Sequence, residues 1–245
     1  MTRSVASART VAGARTVAGN RLGVQSFTGS LGFDGTSSTL TSAVAPATTG
    51  FSLGFWIQYI SGANMVFYTT ALATDGFRLV ENGNNNLFFA VYNNTTALSS
   101  STTPAGSFQH GSWVHVVATF SSTPGVGIAI YINGVLSASN IATGTMSVAT
   151  GKLLSFMVKS YSASGYVKGS LANIVFQNTS TPWTAAQILS LWQYGVVPAG
   201  ATFIYALNQT SGTVATDSSG NSNNGTVANG IWSSTNFPTT LRLNA

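Results

Sequence analysis

The acidic inventory of this 245-residue chain is four carboxylates: Asp34, Asp75, Glu81 and Asp217. Cleaving a glycosidic bond requires two of them facing one bond, about 5–9.5 Å apart. No two are closer in sequence than Asp75 and Glu81, which flank an expected loop and strand. Asp34 and Asp217 stand in Gly-, Ser- and Asn-rich turn motifs, where an aspartate typically caps its own backbone. The two histidines offer little more. His115 lies inside an expected strand, where packing accounts for it, and His110 falls in a Gly-bounded loop. There is no G-x-S-x-G elbow to hold a nucleophilic serine. Cysteine is absent, which removes disulfides, thiolate zinc sites and cysteine nucleophiles. The expectation is a protein that is not an enzyme and carries no cofactor.

Binding chemistry has more candidates. Asp217, Asn221 and Asn223 present oxygens of the kind calcium prefers. Hard-cation sites draw affinity from carboxylate count, however, and this loop has one, so no metal is expected and a hydrogen-bonded turn is the alternative. Planar aromatics and amides in rim loops suit sugars, which stack and hydrogen-bond. The candidates are Asn85, Tyr92, Asn94, Tyr161, Tyr166, Trp183 and Trp232. The competing reading is that a β-sandwich buries its aromatics and edges its turns with asparagine. Five N-x-S/T sequons, beginning at Asn93, Asn94, Asn178, Asn208 and Asn224, match chance for 19 Asn in a chain with 32 Ser and 32 Thr.

Charge is unusual in amount and in placement. Only 5% of residues are Asp, Glu, Lys or Arg, against about 25% in an average domain. The net charge is +5, yet Arg3, Arg9, Arg15 and Arg21 supply four of the nine bases within the first 21 residues. RTVAGA at 9–14 is followed by RTVAGN at 15–20, so these arginines recur every six residues. In an extended chain that spacing aligns them on one side; on a helix it scatters them. Residues 1–24 are expected to form a basic extended arm reaching ~75 Å, the alternative being a solvated tail. The arm would neutralise only a few phosphates and lacks aromatics for base stacking, so nucleic acid is a weak partner. No apolar run follows the arginines, so no Sec signal peptide is expected, and no stretch reaches the ~20 apolar residues of a membrane span.

Residues 25–245 are expected to form the body, as short strands between Gly, Asn, Ser and Thr turns. Expected strands are 31–33, 39–40, 51–60, 65–70, 77–81, 87–92, 113–120, 127–132, 153–157, 171–177, 203–206 and 225–227. Asn133–Gly134 signals a tight hairpin, because both residues tolerate positive φ. One helix is expected, capped by Thr181, with Ile188, Leu189, Leu191 and Trp192 on its apolar face and Gly195 at its end. Many regularly spaced strands with one short helix indicate an all-β, antiparallel two-sheet jelly-roll sandwich.

The order of these pieces resembles the laminin-G-like, or concanavalin A-like, lectin/glucanase jelly rolls. Leu31–Leu40 (LGFDGTSSTL) is similar to the family's opening F-D-G strand, and Phe51–Ile57 (FSLGFWI) to its strand with tryptophan. Trp113–Phe120 (WVHVVATF) followed by Ile130–Gly134 (IYING) is the most specific pair. Gly169–Phe176 and Thr184–Trp192 resemble the family's late strand and helix, over roughly residues 30–195. Two departures stand out. Ala172, Asn173 and Gln187 replace acidic positions, and Asp217–Thr226 (DSSGNSNNGT) resembles a piece that usually comes first. The resemblance therefore implies a circularly permuted domain in which 196–245 completes the sandwich, the alternative being a truncated repeat.

Fold resemblance does not decide function. The charge-poor body and the arginine repeat lead to the expectation of a structural subunit of a large assembly, such as a virion capsid, coat, cement or fibre-associated protein. Its arm would contact itself or other structural proteins, and its location would be a virion or other extracellular assembly. The alternative is a carbohydrate-binding adhesion module that recognises a host or environmental glycan.

Overall fold

The computed structural model describes residues 28–62, 67–68, 75–94, 96–158 and 165–238. Arg3, Arg9, Arg15, Arg21 and Tyr161 lie outside these residues. The strands are β1 (Ser30–Asp34), β2 (Thr39–Thr41), β3 (Gly50–Gly62), β4 (Phe67–Tyr68), β5 (Gly76–Glu81), β6 (Leu87–Asn93), β7 (Thr96–Thr102), β8 (Trp113–Ser121) and β9 (Gly127–Ile132). There follow β10 (Val135–Asn140), β11 (Ser155–Phe156), β12 (Val167–Asn178), helix α1 (Ala185–Tyr194), β13 (Phe203–Tyr205), β14 (Val214–Ala215), β15 (Gly225–Ala228) and β16 (Ile231–Ser233).

They form two eight-stranded antiparallel sheets. The first runs β10-β9-β8-β3-β12-β1-β16, with β13 also paired to β12; the second runs β14-β15-β2-β11-β4-β5-β6-β7. Alternation explains the layering, since successive side chains of a strand face opposite ways. Phe51, Leu53, Phe55 and Ile57 of β3 point into the space between the sheets, as do Val114, Val116, Ala118 and Phe120 of β8. The second sheet answers with Phe77, Leu79, Leu87, Phe89 and Val91. Phe51 sits centrally, its ring 4.4 Å from Phe77, 5.9 Å from Phe176 and 6.1 Å from Phe120.

The C-terminal strands pair within the same two sheets. β16 lies beside β1, β15 beside β2, and β13 beside β12. Phe203, Tyr205, Leu207, Ala215 and Val227 share one core cluster with Leu31 and Phe51. Four strands, β7, β10, β14 and β16, lie outside the stretches expected from the sequence. β7 is a Thr- and Ser-rich edge whose sequence, TALSSST, carries no apolar alternation.

The outward face of the first sheet is apolar at Val117, Val175 and Ile204, and α1 lies over it. Ile188, Leu191 and Trp183 complete that second cluster. A side chain at Gly54 would place its Cβ 3.0 Å from Leu191 and 3.1 Å from the Trp183 ring, so the helix seats closely only over glycine. The N-cap is Thr184, not Thr181: Thr184 Oγ1 accepts from Gln187 N, and the Gln187 side chain accepts from Thr184 N. Before it, Trp183 N donates to Ser52 Oγ, which ties this stretch to β3 and delays the helix start. Gly195 closes the helix with φ 64°. Of the expected apolar face, Ile188 and Leu191 are buried, Trp192 is half-buried and Leu189 is exposed.

Candidate functional site

The carboxylates are dispersed and engaged. Asp34 accepts from the backbone N–H groups of Thr36, Ser37 and Ser38 and from two hydroxyls, and these donors hold its pKa far below the usual range. Asp75 accepts from Ser147 Oγ and Ala149 N. Glu81 accepts from Gly83 N and lies 3.4 Å from His110 Nε2. Asp75 and Glu81 bracket β5, about 20 Å apart at ~3.3 Å per residue, twice the span glycoside cleavage tolerates. The His110 ring lies 4.6 Å from that of Tyr59, tilted by 53°, and the Tyr59 hydroxyl is pushed up to about 12 by burial and by the Glu81 charge. Nearby Ser107 donates to Thr103 Oγ1 rather than to His110.

The Asp217 loop is a hydrogen-bonded knot. Its carboxylate accepts from Ile204 N, Ser219 N, Asn223 N and Ser219 Oγ. The Asn221 and Asn223 amides point their nitrogens at the Ala201 and Thr202 carbonyls. N–H and O–H donors thus surround the Asp217 carboxylate, as in a hydrogen-bonded turn. The described residues contain no group of three or more His, Cys, Asp or Glu able to hold a metal.

The rim residues singled out for sugar do not converge. Asn85 is exposed in the β5–β6 turn at φ 52°, its carbonyl accepting from Phe108 N. Asn94 lies beyond the other end of β6, also with positive φ, its N–H donating to Ser147 Oγ. Tyr166 bridges to Val158, and Trp232 Nε1 donates to Gly212 O on the far edge strand. Trp183 is only 4% exposed and Tyr92 only 7%, so neither offers an open ring face for stacking. Their burial corrects the expectation that both present themselves to solvent: Trp183 packs beneath α1, and Tyr92 packs against Arg78.

A different surface has the shape of a site. Beyond the reach of α1, the first sheet's outer face opens into a cleft of about 320 Å³. Its floor is Thr119 of β8 with Ala129 and Tyr131 of β9, one wall is Leu136 and Ser139 of β10, and the other is Pro182 with the edge of Trp183. The hairpin at Asn133–Gly134, both with positive φ, brings β10 beside β9. Tyr131 is half-buried, and burial raises its hydroxyl pKa, so it stays neutral and able to donate. Apolar faces next to hydroxyls suit an uncharged polar molecule, and no carboxylate or imidazole is among the residues lining the cleft.

Inside the same sheet lie three unpartnered polar side chains. Trp56 Nε1, both His115 nitrogens and both Asn173 side-chain polar atoms are buried without hydrogen bonds. Trp56 and His115 face each other across β3 and β8, rings 5.2 Å apart, and Asn173 occupies the irregularity where β12 passes β3. Burial pushes the His115 pKa down to about 3, so the imidazole is neutral.

Comparison with solved structures finds the same sandwich at low sequence identity. A Bacteroides ovatus protein to which carbohydrate binding is ascribed matches 88% of this chain with a TM-score of 0.66 at 15% identity, and the chain spans 62% of that protein. The heptameric SAP-like pentraxin of Limulus polyphemus matches 68% of this chain, and 82% of its own, with a TM-score of 0.50 at 15% identity. No curated protein matches the chain in sequence. Residues 33–189 match the Laminin_G_3 family, from the first F-D-G strand into α1, and on that match the chain belongs to the concanavalin A-like lectin/glucanases superfamily.

Proposed function

We propose that the chain is a non-catalytic carbohydrate-binding protein whose cleft between β9–β10 and Pro182–Trp183 takes an uncharged sugar. The observation that carries this reading is the cleft lining: Tyr131, Leu136 and Trp183 supply apolar surface, and Thr119 and Ser139 supply hydroxyls. The volume is in the range of small-ligand sites. Family membership and the binding ascribed to the Bacteroides ovatus protein agree with it. The dispersal of all four carboxylates supports binding without cleavage. The assembly role stands on residues 1–24, which lie outside the described residues, and the comparisons add nothing to it. No helix among the described residues is long and apolar enough to cross a membrane.

The test is a neutral glycan array probed with the full chain, followed by calorimetry on each hit with Tyr131→Ala. Binding to a restricted set of glycans, weakened about tenfold or more by the substitution, is the expected result. An empty array, or release of reducing ends from a bound polysaccharide, would overturn the reading.

A further inference from the structure

The borders of the cleft are fixed by contacts with the strands around it. Ser121 Oγ donates to Ser180 O at 2.6 Å, and Trp183 N donates to Ser52 Oγ at 3.1 Å, which holds the Pro182–Trp183 wall against β8 and β3. The turn between β8 and β9 brings a further lining residue, Val126, whose N–H donates to Thr123 O. That turn ends at Gly127, φ 79°, where an added Cβ would collide with Asn140 O, so the turn packs backbone to backbone on the end of β10. Val126 and Leu136 are thereby set in one cleft while remaining 45% and 51% exposed.

What the cleft offers a ligand is mostly carbon. The Trp183 indole N–H already donates to Gln177 Oε1, so the indole presents only its ring. Thr119 is 4% exposed and nearly covered. The reachable side-chain hydroxyls are those of Ser139, exposed on β10, and Tyr131, half-buried on β9. Val126, Ala129, Leu136 and Pro182 carry no polar side-chain atom, and no lining residue has a side-chain amide or a charge. A hexopyranose is hydroxylated around its whole rim, and each hydroxyl that leaves water without a partner costs free energy. Two hydroxyl residues cannot satisfy such a ring on every side. Replacing one sugar hydroxyl by a methyl group, or capping the position with an acetyl, removes that cost where the ring meets aliphatic surface and adds the burial of the methyl. The volume of about 320 Å³ is near the lower bound for small-ligand sites, which suits a terminal sugar rather than a long segment.

Resting on the reading that this cleft binds glycan, we propose that it selects sugars bearing a methyl group, a 6-deoxyhexose or an N-acetylated hexosamine, with the methyl seated against Val126 and Leu136. Tyr131 and Ser139 then hold the ring through its remaining hydroxyls.

The experiment is a ligand-observed NMR titration of the full chain with sugars matched except at one group: L-fucose against L-galactose, L-rhamnose against L-mannose, and N-acetylglucosamine against glucose. At least one methyl-bearing sugar should bind about tenfold tighter than its counterpart, the first two pairs reporting a 6-deoxy methyl and the third an acetyl methyl. Val126→Thr exchanges a methyl for a hydroxyl at constant shape, and Leu136→Asn removes the other aliphatic surface; each should reduce the preference about threefold or more. Leu189→Asn, at an exposed position of α1 outside the cleft lining, should leave it intact. Thermal melts identify any variant that fails to fold, in which case the wild-type pairs decide. Equal affinities within every pair, array hits that lack 6-deoxy and N-acetylated sugars, or a preference that survives both cleft substitutions would overturn the selectivity and leave glycan binding standing. No binding to any sugar, here or on the array, would overturn both.

Discussion

On the outer face of the first sheet, Val117, Val175 and Ile204 lie under Ile188, Leu191 and Trp183. On the second sheet the outward positions are the polar Thr41, Ser155, Thr226 and Arg78, of which Ser155 is buried, Thr41 and Arg78 are half-buried and Thr226 is exposed, and α1, the described helix, lies elsewhere. The difference follows from what each strand places outward. Apolar outward residues leave surface that water disfavours, so the chain supplies a cover. Hydroxyls are satisfied by water and can equally be satisfied by the hydroxyls of a ligand. One face is therefore covered by the helix over most of its area, opening only at the cleft, while the other is lined by polar side chains.

The largest expected effect breaks the covered face by pH. The His115 pKa is depressed to about 3 in the folded chain by burial, against about 6.5 unfolded. The unfolded state therefore binds more protons between these values, and stability falls as pH drops from 6.5 towards 3 by roughly 4–5 kcal/mol. His115→Leu should flatten the urea midpoint over that window. It should leave the separate loss at lower pH, where Asp34 and Asp217, both depressed in the fold, become protonated. An unchanged slope between pH 6.5 and 4 in the variant would place the titration elsewhere.

Next, Leu191→Ala removes the side chain packed over Gly54 and should cost about 3 kcal/mol in chemical denaturation, as buried leucine truncations do. Tyr131→Ala should cost less stability than that while reducing affinity for a cleft glycan about tenfold, read by calorimetry beside a thermal melt. The smallest effect belongs to the hydroxyl face. Thr41→Val should shift stability by no more than about 0.5 kcal/mol, as surface substitutions generally do. A loss as large as that of Leu191→Ala would mean that Thr41 has a structural role and that the two faces are not different in kind.

Much of this contrast is written locally in the sequence. The WVHVVATF and IYING strands, the hairpin between β9 and β10, and the glycine that ends α1 are each set by a few neighbouring residues, and all stand where expected. The Thr184–Gln187 capping box is also local; it lies three residues beyond Thr181 because Trp183 is bound to Ser52 across 131 positions. β7 and β16 are edge strands whose partners, not their own patterns, make them strands. The cleft joins Thr119, Tyr131, Ser139 and Pro182, which no spacing rule connects. The aromatic and amide rim residues pointed to sugars by type, but type does not report burial: Trp183 and Tyr92 went inside. Arg78 between Phe88 and Tyr92 becomes legible only once β5 and β6 are placed in register, with Ala90 opposite the arginine.

A glycan seated in the proposed cleft would shield the backbone of the strands and stretch that line it. Amide hydrogen exchange of the full chain, with and without a neutral oligosaccharide selected from the array, tests this most directly. Slowed exchange confined to β9, β10 and the Pro182–Trp183 stretch is the predicted result. Protection that spares all three segments while the sugar is demonstrably bound would contradict it.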